Sequence, residues 1–142
     1  MAQMDTDDTR DPQTYAIIGA CMEIHKILGP GFTESVYHEA AKIEFPLHNV
    51  PFIHEALLAV YYRDIKLPTV FRTDFMCFED VIVEFKAIPK LGDGEMKQMI
   101  NELAASRKHR GLLINFGASR LEYKRVVFGT QPQNTVPSVP SV

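Results

Sequence analysis

The stretch GLLINFG, residues 111–117, constrains the fold of this chain more than any other. It has the length of a strand and is almost wholly apolar, without the alternation of a half-exposed strand. That is the pattern of a strand buried on both faces.

The elements around it decide the fold class. DPQTYAIIGACMEIHKILGPGF reads as a helix, capped by Asp11, opened by Pro12 and stopped by Gly29-Pro30-Gly31. Ile17, Ile18, Cys21, Ile24 and Leu28 form its apolar side. A second helix is predicted from Phe32 or Thr33 to Phe45, packed through Val36, Tyr37, Ala40, Ala41 and Ile43 and limited by Pro46. FIHEALLAVYY is a predicted strand ending at an Arg63-Asp64 turn. Val70 to Phe78 and Val81 to Ile88 read as two more, around a Glu79-Asp80 turn. A helix from Asp93 to Lys108 follows, fronted by Gly92 and Gly94, and YKRVVF closes the series as a strand. Helix, helix, three strands, helix, two strands is the order of a mixed α/β domain, not of a bundle or sandwich. Residues 12–128 are expected to form one domain, with a loose arm over 1–11 and a Pro/Ser/Thr-rich tail over 129–142.

At 142 residues and 46% apolar content the chain has material for a single core. Its formal charge of −3 does not advertise nucleic-acid binding, though a local basic patch is compatible with it. Cys21 and Cys77 both stand among apolar residues and read as buried reduced thiols. No run approaches the ~20 apolar residues of a membrane span, so a soluble, intracellular, cytoplasmic protein is expected. The five histidines have no zinc-type spacing, and their scatter argues against a histidine metal site. The glycines make no Walker-type phosphate loop, and no serine has the context of a nucleophile elbow.

The chemistry concentrates in FRTDFMCFEDVIVEFKAI. Strand alternation sends Glu84 and Lys86 to one face, and a turn at Glu79 sets Asp74 across from Glu84, with Cβ atoms ~5 Å apart. Two carboxylates so placed can share a hard divalent cation, whereas without one they repel. Lys86 can then orient water or neutralise charge at phosphorus. An E-x-K triplet also suits an ordinary charge pair on a solvated sheet face. The apolar run around it favours a site, because polar groups in such a run need a partner or a task.

On these residues the chain resembles the GxxExxY proteins of the PD-(D/E)xK nuclease superfamily. The name motif stands at Gly31-Phe32-Thr33-Glu34-Ser35-Val36-Tyr37. The likeness continues through Arg72-Thr73-Asp74, Val83-Glu84-Phe85-Lys86-Ala87, Gln98, GLLINFG and Lys124-Arg125. The resemblance implies a restriction-endonuclease-like α/β core, a central mixed β-sheet flanked by α-helices. It implies metal binding by Asp74, Glu84, the Phe85 carbonyl and Glu34, with Lys86 as catalytic lysine and Gln98 beside the site. Glu102 stands where related branches often have tyrosine, and Thr73 replaces the proline of the superfamily name. Glu34 also suits the first turn of a helix by charge alone.

Two functions follow. One is a Mg²⁺- or Mn²⁺-dependent nuclease acting on DNA in preference to RNA, with Lys90, Lys97, Arg107, Lys108, Arg110, Lys124 and Arg125 available for the phosphate backbone. The other is a noncatalytic binding or scaffold protein that keeps the fold, in which the carboxylates pair with Lys86 or another base. An exposed edge strand would offer a route to a homodimer.

Overall fold

The computed structural model describes residues 11–129. The expected arm, apart from Asp11, and the tail beyond Gly129 lie outside those residues. Asp11 itself belongs to the fold: its Oδ1 accepts from the Gln13 and Thr14 amides and caps α1 (Pro12–Leu28). Gly29, at φ 71°, ends the helix in a backbone region that glycine enters without penalty. Then α2 (Glu34–Leu47) runs two residues past the expected stop. Pro46 lies in its last turn, where a missing N–H forfeits only one late helical bond.

The remaining elements are β1 (Phe52–Tyr62), β2 (Ile65–Cys77), β3 (Val81–Lys86), α3 (Asp93–Ser106), β4 (Arg110–Asn115) and β5 (Glu122–Val127). The strands form one sheet in the order β1-β2-β3-β4-β5. All neighbours are antiparallel except β3 and β4, which are parallel and joined by α3 as the crossover. This is the expected mixed sheet flanked by helices, a restriction-endonuclease-like α/β fold. β2 starts earlier than Val70 because its register shifts: Ala59 faces Val70, but Tyr61 faces Lys66. Leu67, Pro68 and Thr69 bulge out between those pairs, so the proline is not asked for a ladder N–H.

Two cores cover the sheet. Ile17, Ile24, Tyr37 and Phe45 from α1 and α2 pack on Phe75, Phe85, Leu112 and Ile114. On the other face Met99 and Leu103 of α3 pack on Met76, Ile82, Leu113 and Val126. β4, predicted to be covered on both sides, is buried from Gly111 through Asn115. Cys21 and Cys77 are free and buried in the first core.

One irregularity interrupts this two-sided packing. Along β2, Phe75 belongs to the first core and Phe71 packs against the second, although strict alternation would keep them on one face. β1 makes the same exchange between Phe52 and Ala56. The register is unchanged across it: His54 pairs with Phe75 and Ala56 with Thr73. The two skipped residues are Glu55, at φ 55°, and Asp74.

Candidate metal centre at the β2–β3 opening

Asp74 stands where both of its ladders lapse. The pairing of β2 with β3 begins at Phe75–Val83, so the next step, Asp74 opposite Glu84, is open. The Asp74 carboxylate fills that gap by accepting the Phe85 amide at 2.7 Å. It faces α2, where His38 Nε2 lies 3.6 Å from its Oδ2. Glu34 and His38, four residues apart on one helical face, bring ligand atoms within 4.8 Å of each other and of Asp74. Burial pushes the Asp74 carboxyl up, but the His38 ring and the Phe85 amide outweigh it and hold the group below its usual range.

Glu84 stands across the opening, its carboxyl against that of Asp74. Its Oε2 accepts the hydroxyl of buried Thr73 at 2.9 Å. It lines a small cleft against α3 together with Lys86, Glu95, Gln98 and Glu102. Burial, then the charges of Asp74 and Glu102, push its carboxyl up to about 8. Asp74 and Glu84 stand opposite each other one step beyond the last β2–β3 pair, with their carboxyls within hydrogen-bonding reach. The face exchange in β2 also turns Asp74 toward α2, so its carboxylate meets both Glu84 and the His38 side.

Lys86 ends β3, and its carbonyl is held by the Phe116 amide at 2.8 Å. Beyond it, buried Asn115 pins the connection to α3: its amide group bonds both the N–H and the C=O of Ile88. Gln98 is exposed and donates to Glu102 at 3.4 Å. The Glu102 carboxyl also lies within hydrogen-bonding reach of Glu84, and burial raises it above its ordinary range. Tyr37, one turn beyond Glu34, is packing as expected, stacked on Phe116 and donating to the Gly29 carbonyl at 2.6 Å.

His38 escapes a sequence reading that weighs histidines by their mutual spacing. The signal that could find it is its spacing of four from Glu34, one helical turn along the same face. His54 belongs to no motif at all, yet its Nε2 sits 2.9 Å from His38 Nδ1. Two expected phosphate contacts are also redirected. Arg110 and Arg125 both bond Asp11 at 2.9 Å, and Arg110 reaches Asp80 at 2.7 Å. These cations are partly buried, and burial requires a paired carboxylate. They brace α1 against β4 and β5.

The donor set suits a divalent cation. Two carboxylates and an imidazole converge at one point, a third carboxyl beside them is too basic to ionise readily, and a fourth, Glu102, lies against the third. A family profile described as the PD-(D/E)XK nuclease superfamily matches residues 11–126. The chain belongs to the PD-(D/E)XK nuclease superfamily. Nuclease-like function in general, nucleic-acid substrates and the use of divalent metals go with that membership. No curated protein and no solved structure gives a significant match. Among the described residues, no helix is long and apolar enough to cross a membrane.

Proposed function

We propose that this superfamily member is a GxxExxY-type nuclease that hydrolyses phosphodiester bonds, of DNA before RNA, with Mg²⁺ or Mn²⁺. The observation that carries the reading is Asp74, freed from both ladders and bonded to the Phe85 amide beside Glu34, with Glu84 and Lys86 on the adjoining strand. Asp74, Glu34, Glu84 and the Phe85 carbonyl would hold the cation, which when bound supplies polarisation of a phosphoryl oxygen and acidification of water. Lys86 neutralises negative charge that builds on phosphorus as water adds and the ester P–O bond breaks. Gln98, at the exposed mouth of the cleft, orients the incoming phosphate or water by its amide.

The test compares purified wild type and Glu84→Ala on linear duplex, nicked and single-stranded DNA with each metal. Cleavage by wild type alone supports the reading; equal cleavage by both proteins sinks it.

Glu102 favours a second reading, a binding or scaffold protein with the same fold. It adds a carboxylate to the Glu84 cleft where a phosphate would have to approach. Calorimetry separates the two: a folded wild type that takes up neither Mg²⁺ nor Mn²⁺ belongs to the scaffold class.

A further inference from the structure

His38 and His54 form a hydrogen-bonded imidazole pair against the carboxylates of the proposed centre. His38 Nδ1 and His54 Nε2 are 2.9 Å apart, so one of these nitrogens carries the shared proton and the other its lone pair. At the opposite edge of the His38 ring, Nε2 is 3.6 Å from Asp74 Oδ2, longer than a hydrogen bond. It is a fitting separation for two atoms bound to one cation, since ligand distances of about 2.0–2.2 Å allow neighbouring donors roughly 3–4 Å apart. Asp74 Oδ2 already accepts the Phe85 amide at 2.7 Å, so its position does not depend on His38.

The ring is held in that pose. His38 packs edge-on against Phe85 and tilted against Phe75, with centroids 5.4 Å away in each case. His54 leans on Phe75 at 4.8 Å. His54 shares the α2-side face of β1 with Phe52, two residues earlier, and the strand exchanges faces only after it, at Glu55. An imidazole that must offer Nε2 to a cation needs its proton on Nδ1, and His54 Nε2 is the acceptor stationed there.

We infer that His38 is a nitrogen ligand of the cation at Glu34 and Asp74, and that His54 is a positioning residue that fixes its tautomer, so that the centre takes Mn²⁺ in preference to Mg²⁺. The inference rests on the proposed metal-dependent reading. Imidazole is a poor ligand for Mg²⁺, which holds to oxygen donors, and a good one for first-row transition ions. An all-carboxylate centre would show little such preference.

The experiment titrates the full chain with Mn²⁺, alone and against Mg²⁺, and records pulsed electron paramagnetic resonance of the bound ion. Wild type is expected to show nitrogen-14 modulation, which His38→Gln abolishes while also narrowing the preference for Mn²⁺ at least about tenfold. His54→Leu is expected to weaken Mn²⁺ binding about tenfold or more, a usual loss when a ligand's supporting partner is removed. His54→Gln should restore most of it, because its side-chain oxygen can accept from Nδ1. Circular dichroism of each variant ensures that only folded protein is compared. Bound Mn²⁺ without nitrogen modulation would overturn the histidine assignment and leave the metal reading standing. Equal Mn²⁺ affinity in His54→Leu and wild type would remove the positioning role. Failure of folded wild type to bind Mn²⁺ at all would overturn the metal reading and this inference with it.

Discussion

The Phe85 amide donates to the Asp74 carboxylate at 2.7 Å across the point where β2 and β3 stop pairing. A side chain there does what a backbone carbonyl does elsewhere in the sheet, and the carboxylate is aimed by the strand it bonds. Asp74→Asn keeps an oxygen for that amide but removes the charge. It is expected to lower divalent-metal affinity at least about tenfold in calorimetry while shifting stability by less than about 1 kcal/mol. Asp74→Leu, which leaves the amide without its acceptor, should cost about 1–3 kcal/mol in denaturant unfolding.

Glu84→Ala is expected to abolish cleavage and to leave nucleic-acid binding nearly intact, since backbone contacts are shared among several cations. Gel-shift and cleavage assays on the same preparations check both halves.

The metal-free protein should lose stability as pH rises between about 4.5 and 8. The Glu84 carboxyl has a folded value of about 8 against an ordinary 4.5, so the folded state holds its proton more firmly across that window. Ionisation is then a growing penalty, at most about 3 kcal/mol by pH 7 for a group that titrates together with its neighbours. Glu84→Gln should flatten the slope in urea melts taken at successive pH values. A slope unchanged by the substitution would assign the effect elsewhere.

Asp11 has the opposite sign. Burial raises its carboxyl, but Arg110, the Thr14 amide and Arg125 outweigh that and hold it below the ordinary 3.8. Its contribution is present above that value and lost as pH falls through the lower folded one. Asp11→Asn is expected to cost about 2–4 kcal/mol at neutral pH, because two partly buried guanidinium groups lose their shared carboxylate. The difference from wild type should shrink in strong acid, measured by thermal unfolding.

Gly117→Ala should be more damaging than an exposed glycine change, for a reason of space. An added Cβ would lie 2.3 Å from the Ile88 carbonyl oxygen and 2.4 Å from its nitrogen, so backbone must move. A loss of about 1–3 kcal/mol is expected. Asn115→Ala strips the same loop of its bonds to Ile88 and Gly117, and about 2–4 kcal/mol is expected there. Hydrogen exchange at Ile88 should accelerate in both variants.

Local rules in the sequence determined the helices and strands and their order. The Asp11 cap, the Gly-Pro-Gly stop, the Glu79-Asp80 turn and the unbroken apolar run of β4 each act within a few residues, where propensity and burial pattern decide. Asp74, Glu84 and Lys86 stood out for a related reason: charge in an apolar run is visible in one dimension, whereas Glu34 was marked only by the GxxExxY motif. Tertiary structure alone decided which face Asp74 takes, because alternation fails where β1 and β2 exchange faces together, and no single strand's pattern records a matched exchange. Packing of α2 on the sheet brings His38 to His54, and packing of α1 brings Asp11 to Arg110, 99 residues away. Such pairings depend on how elements dock, and docking is set by the summed burial of many side chains.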